Sequence, residues 1–211
     1  MLTKTVLKDT KQRKTRGGGL YSFMLVIKYA PYKGILIYER IIFDIPLVGY
    51  TVNMKIIKAD LTNPIHAKAL VGLLNLYAQD PMGGGEELSD FTKANLAKEI
   101  HKRSDITVIL AFDGDKPAGL INCVEGFSTF MCKPLMNIHD VYVDADYRGK
   151  GVAIMLLQAA EDLAIEKQCC KVTLEVLEGN QPAKSAYLKF GFDGYELDPK
   201  MGKAMFWQKK L

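Results

Sequence analysis

The chain has 211 residues, 48% of them apolar and 25% charged, with a net charge of +4. That composition belongs to a globular protein of about one domain, not to a disordered chain. No run of about 18 uncharged apolar residues occurs, which excludes a conventional membrane-spanning helix.

The charge is unevenly placed. Residues 1–53 hold nine Lys/Arg and three Asp/Glu, while the other 158 hold 19 and 21. The main body is therefore slightly acidic, and nucleic acid is not expected as a partner. Cys123, Cys132, Cys169 and Cys170 form no C-x-x-C pair. A zinc site, or any metal site, is not expected, nor is a disulfide framework; reduced thiols in a cytoplasmic protein are.

Residues 1–53 read differently from the rest. A basic start (Lys4, Lys8, Lys11, Arg13, Lys14, Arg16) runs into Gly17-Gly18-Gly19 and then into apolar stretches, Leu20–Ile27 and Ile35–Pro46. The pattern superficially resembles a secretory leader, but its eight-residue apolar run is short and no A-x-A site follows before Lys28. Three readings stand: an appended hairpin, an unstructured or membrane-touching arm, and non-native sequence upstream of a start at Met54. The last is preferred, because Met54 opens a clean strand, 54–59.

From there the elements alternate. Asn63-Pro64 starts a helix on which Ile65, Ala69, Leu73, Leu76 and Tyr77 recur at helical spacing. Asp80-Pro-Met-Gly-Gly-Gly85 is a loop, and Ser89 caps a second helix over about 90–102. Ile106–Phe112 is a strand, Asp113-Gly-Asp-Lys116 a hairpin turn, and Pro117–Cys123 the returning strand, extending towards Phe130. Leu135–Val143 is the next strand. A long helix over 150–167 carries Val152, Met155, Leu156, Ala159, Ala160 and Leu163 on one face. Lys171–Leu177 reads as a strand, Asn180 and Pro182 open a helix that Gly191 closes, and Phe192–Leu197 with Ala204–Gln208 reads as a final antiparallel pair. The order predicts an α/β fold on a mixed sheet.

The informative stretch is Val141-Tyr-Val-Asp-Ala-Asp-Tyr-Arg148-Gly149-Lys150-Gly151-Val152-Ala153, where a strand ends, a glycine-rich turn follows and an amphipathic helix begins. Free amides and a positive dipole at a helix start, behind side-chain-free glycines, make a cradle for a phosphate or diphosphate. The nucleotide P-loop pattern fails at Val152-Ala153, and the dinucleotide G-x-G-x-x-G fails at Ile154.

Arg148, Gly151 and Ala153 form R-x-x-G-x-A, which resembles the acetyl-coenzyme A loop of the GCN5-related N-acetyltransferase (GNAT) superfamily. The preceding V-Y-V-D is similar to that family's fourth strand. Asn180 with Ala186-Tyr187-Leu-Lys-Phe-Gly191-Phe192 is similar to its second cofactor motif. The resemblance covers residues 54–211 and implies an acetyltransferase domain there, with residues 1–53 outside it. It implies a mixed, mostly antiparallel sheet, flanked by helices and splayed between its fourth and fifth strands. It implies acetyl-CoA as cofactor: the diphosphate on Gly149, Lys150, Gly151, Val152 and Ala153 beside Arg148, the pantetheine arm along Val141, Tyr142 and Val143, and further contact from Asn180 and Ala186.

The same resemblance makes Tyr187 the general acid for the departing sulfur and the Val141 amide the oxyanion donor. For the base, strand alternation puts Asn137, His139 and Val141 on one face and Asp140 on the other. His139 is the candidate, because imidazole titrates near neutrality; Asp140 and Glu125 are alternatives. Asp80, Glu86, Glu87 and Asp90 lie where the family shapes its acceptor pocket and could attract a cationic amine. Phe127, Phe130 and Met131 are candidates for that pocket, the core or a homodimer contact. His66 and His101 read as structural, and Trp207 as edge-strand packing.

The segment from Asp140 to Gly151 is especially similar to the diamine acetyltransferase branch, although His139 stands where that branch has a carboxylate. The expected function is N-acetylation of a small primary amine such as a polyamine or amino acid. The alternatives are a protein or peptide N-acetyltransferase, a non-catalytic acyl-CoA-binding module, and a membrane-surface or partner-docking protein with an acetyltransferase body.

Overall fold

The first four strands pair antiparallel in chain order, and the fifth, which follows a long helix, joins the sheet parallel to the fourth. The computed structural model describes residues 54–195, 198, 200, 202 and 204–209; the readings made for residues 1–53 lie outside them. The elements are β1 (Met54–Lys58), α1 (Pro64–Gln79), α2 (Asp90–His101), β2 (Ile106–Asp113), β3 (Lys116–Ser128), β4 (Lys133–Val143), a short 3-10 turn (Ala145–Tyr147), α3 (Val152–Glu166), β5 (Val172–Leu174) and α4 (Gln181–Phe190). The sheet runs β1-β2-β3-β4-β5, antiparallel until β4 and β5, which are parallel. This is the mixed α/β sheet expected from the order of elements.

Local chemistry sets the boundaries. Asn63 caps α1 by accepting the Ile65 amide at 2.9 Å, with Pro64 in the first turn, where its missing N–H costs nothing. Ser89 caps α2 through Thr92 N at 3.1 Å. Gly114, at a φ of +58°, closes the β2–β3 hairpin.

Strand alternation divides the core. Ile109, Ala111, Ile121, Met136 and Ile138 face α3 and its Leu156, Leu157 and Ala160. Val108, Leu110, Phe112, Leu120 and Tyr142 face α1 and its Leu70 and Leu73. Each large aliphatic side chain buried in this way contributes about 1.5–3 kcal/mol. Gly119 leaves no room for a side chain between the sheet and α3: a Cβ there would lie 2.8 Å from the Tyr142 carbonyl oxygen and 3.1 Å from Leu156 Cδ1.

Three expectations are corrected. The strand read over 171–177 is only Val172–Leu174. The final antiparallel pair is not formed by residues 192–195 or 204–209. Phe192 instead turns inward against Tyr187 and Phe190, and Trp207 is 85% exposed rather than packed on an edge. On α1 the inward stripe is Ala69, Leu70 and Leu73, leaving Ile65 and Leu76 exposed. Among the described residues no helix is long and apolar enough to cross a membrane.

Candidate active site

β4 loses its partner halfway. It pairs with β5 only at Met136, Asn137 and Ile138, and β5 ends at Leu174. His139 to Val143 continue beyond the last parallel pair, so among the described residues this stretch has no strand partner on its β5 side. Immediately after it the chain turns, with Asp144 Oδ1 accepting the Asp146 amide at 3.0 Å, and enters Arg148-Gly149-Lys150-Gly151.

Gly149 and Gly151 sit at φ of +75° and +80°, the left-handed region that favours glycine. A Cβ at either would meet nothing within 4 Å, so the front of the turn is open. α3 starts at Val152 with Gly151 as N-cap and no side-chain cap. An uncapped helix start behind an open glycine turn, with the Lys150 ammonium 5.4 Å from the Tyr147 ring centroid at its rim, fits a diphosphate.

Arg148 faces the other way. Its Nε donates to the Val143 carbonyl at 3.0 Å, its Nη2 donates to Asp80 Oδ2 at 3.0 Å, and its guanidinium lies 5.7 Å from the Tyr142 ring centroid. The arginine expected to add charge beside a bound anion is thus engaged by the end of α1.

The register of β3 and β4 overturns the alternation argument for the base. Asn122 lies opposite Asp140 and Cys123 opposite Ile138, so His139 is one extra residue in β4. Such a bulge reverses the inside–outside phase of everything after it. Met136 and Ile138 face α3 before the bulge, and Val141 and Val143 face α3 after it. Asn137 and Asp140 therefore share the opposite face, while the exposed His139 stands at the bulge itself. Asp140, expected to point away from Asn137, is on the same side of the sheet as Tyr142.

Asp140 lies in a small polar cluster on that side. Asn122 is 5% exposed; its Nδ2 donates to Asp140 Oδ2 at 2.9 Å, and its Oδ1 is buried without a partner among the described residues. Tyr77, from the last turn of α1, has its ring centroid 5.9 Å from that of Tyr142. Burial first, then the charges of Asp140 and Asp80, push the Tyr77 phenol above its ordinary range.

Tyr187 projects from α4 against the α3-side core, edge-on to Phe192 with ring centroids 5.9 Å apart. Burial, with a smaller contribution from Tyr77, pushes its phenol up to about 12, so it keeps its proton across the physiological range.

The remaining candidates divide. The Asn180 side chain caps α4 by accepting the Ala183 amide at 3.2 Å, and Ala186 is half-buried on that helix. Glu125, an alternative base, is opposite Met136 and ion-paired to Lys167 at 2.5 Å, near the C-terminal end of α3 and away from the glycine turn. Glu87 and Asp90 both face Lys93, at 2.6 and 3.8 Å, and Glu86 is exposed. Phe127, Phe130 and Met131 are exposed around the β3–β4 hairpin tip rather than in the core. His66 is structural: its Nδ1 accepts the Asp60 amide at 3.1 Å and its ring lies 6.1 Å from that of Phe112. Tyr77 and Asn122 are the site residues that sequence reasoning missed. One reads as a helix-face aromatic and the other as a polar break in an apolar strand, the single sequence signal that pointed to it.

A sequence model described as the acetyltransferase (GNAT) family matches residues 70–192. A thialysine N-epsilon-acetyltransferase of Caenorhabditis elegans is 25% identical over 134 residues, covering 64% of this chain and 81% of the relative. A streptothricin acetyltransferase of Escherichia coli is 32% identical over 97 residues, covering 42% of this chain and about half (55%) of the relative. An aminoglycoside N-acetyltransferase solved with CoA superposes with a TM-score of 0.59 at 17% identity, covering 78% of this chain and all of that one (100%), a likeness of fold.

Proposed function

From the premise that this chain belongs to the GNAT acetyltransferase family, a family of acetyl-CoA-dependent enzymes, we propose that it acetylates a small primary amine. The observation that carries this reading is the run His139–Val143, which continues past its last pair with β5 beside the uncapped start of α3, with the Asp140 carboxylate on the run itself and Tyr77 of α1 against Tyr142. Acetyl-CoA supplies an activated acyl thioester. The open turn Gly149–Ala153 takes its diphosphate, and the strand edge at Val141 and Val143 takes its pantetheine arm, with Asn180 and Ala186 bordering the arm from α4.

Asp140, oriented by Asn122 and flanked by Tyr77 and Tyr142, attracts the substrate ammonium by charge and by aromatic faces. His139, exposed at the bulge, removes a proton from the ammonium so that the nitrogen lone pair can attack the acyl carbon. The Val141 amide faces the negative charge that develops on the carbonyl oxygen. As the carbon–sulfur bond breaks, the Tyr187 hydroxyl gives its proton to the sulfur. The acylated nitrogen gives up its second proton, which restores the Tyr187 hydroxyl; the amide product and free thiol leave, and the proton held by His139 passes to solvent. The names of the thialysine and streptothricin relatives, both acting on amino-group-bearing small molecules, support this substrate class. The slightly acidic body and the absence of any paired cysteine suit a cytoplasmic enzyme.

The test is thiol release from acetyl-CoA across a panel of thialysine, lysine, spermidine, streptothricin and a peptide N-terminus. Turnover concentrated on the small diamines is the expected outcome. Turnover with the peptide alone would transfer the protein to a different acceptor class, and thioester binding without turnover would make it a binding module.

A further inference from the structure

Asp80 organises the end of α1. Its amide closes the last turn onto the Leu76 and Tyr77 carbonyls, at 3.2 and 3.0 Å. Its Oδ1 accepts the Met82 amide at 2.9 Å, and its carbonyl accepts the Gly83 and Gly85 amides at 2.7 and 3.2 Å. Only Oδ2 reaches out of this knot, and it meets Arg148, the residue immediately before the glycine turn. Arg148 is fixed from the sheet side by the Val143 carbonyl.

We infer that Asp80 and Arg148 are positioning residues that tie the cofactor turn to the end of α1, so that filling the turn orders the loop after α1 and seats Tyr77, three residues before Asp80, against Tyr142 of β4. The pair is partly exposed, with side-chain exposures of 23% and 53%, which makes it weak as a source of stability. Its geometry gives it another use. A guanidinium fork holds a carboxylate in one orientation, so fixing the Arg148 backbone fixes Asp80. Because the loop and the last turn of α1 hang on Asp80, order at the glycine turn passes to the acceptor side of the cleft. By linkage, binding on either side then strengthens binding on the other. The inference rests on coenzyme A occupying the glycine turn, but not on the identity of the amine.

Two variants separate a tie from a phosphate ligand. Asp80→Asn keeps a carbonyl oxygen for the Met82 amide and removes only the charge that Arg148 meets. Arg148→Gln removes the fork. Calorimetry with free CoA and amide hydrogen exchange of residues 76–86, with and without CoA, are measured on the full chain and on both variants. The expected result is that CoA slows exchange of this segment about fivefold in the full chain. In both variants the slowing disappears, while CoA affinity stays within about threefold of the starting protein. Slowing that persists in either variant overturns the tie. So does a loss of CoA affinity of tenfold or more in Arg148→Gln alone, the signature of direct phosphate contact. Absence of any heat with CoA in the unaltered chain overturns the reading of the turn itself, and the tie with it.

Discussion

The Asn122 amide donates to Asp140 Oδ2 at 2.9 Å, directly across from the extra residue His139 in β4. This bond spans the point at which the strand changes phase, so it fixes both the bulge and the direction of the carboxylate. A donor in a nearly dry setting is worth more than one at the surface. Asp140→Asn is expected to raise KM for the amine about tenfold while the affinity for CoA is retained. Asn122→Asp places a second carboxylate against the first, so one of the two holds its proton to higher pH. The pH below which the amine KM rises should then move upward. An unmoved KM profile, with unchanged amine KM in Asp140→Asn, would take the pair out of amine recognition.

Tyr187→Phe is expected to lower kcat about 100-fold, with the dissociation constant of CoA altered by no more than about twofold. Subtracting the alkaline absorbance titration of this variant from that of the unaltered chain isolates one phenol among ten tyrosines. That phenol should ionise near 12 rather than 10. The sign for stability follows: the folded value is the higher one, so the contribution of Tyr187 is complete below pH 10 and fades as pH rises to 12. Undiminished turnover in the variant would remove the phenol from the proton path.

His139→Ala tests the base. The side chain is exposed and sits outside the ladder, so its removal leaves the core intact. The expected loss is about 100-fold in kcat/KM near neutrality, with the acidic limb of the profile abolished. Retention of that limb would assign it to another group, with the adjacent Asp140 the nearest alternative.

At Gly151 conformation and charge separate. The residue has a φ of +80° with open space in front of it, so Asn, which tolerates this region better than most, is expected to fold there. Asp has the same shape and a negative charge at the helix start. Calorimetry should show CoA binding weaker in Gly151→Asp than in Gly151→Asn by about tenfold, and the gap should narrow in high salt. Equal affinities would place the diphosphate elsewhere.

Leu156 is completely buried between α3 and the sheet and touches the space in front of Gly119. Leu156→Ala is expected to cost about 3 kcal/mol of folding stability by denaturant titration, through lost transfer energy and a residual cavity. Because α3 carries the glycine turn on its N-terminus, CoA is expected to shift the melting temperature upward in this variant and in the unaltered chain alike.

Much of this molecule is a local matter. Capping at Asn63 and Ser89, the Gly114 hairpin, the apolar stripe of α3 and the pair of glycines before it follow from side-chain and backbone preferences over a few residues, so the sequence alone determines them. The α/β order and the anion cradle follow with them. Three features needed the tertiary structure. The length of β5 depends on whether β4 stays alongside, and the two part after Leu174, whatever the strand propensity of Val176. The orientation of Asp140 depends on one extra residue, His139, between the Asn122–Asp140 and Cys123–Ile138 pairs, and a bulge leaves no period in the sequence to betray it. Tyr77 and Asp80 reach Tyr142 and Arg148 only because α1 packs across the sheet: contacts spanning more than 60 residues have their energy set by packing, which no local pattern encodes.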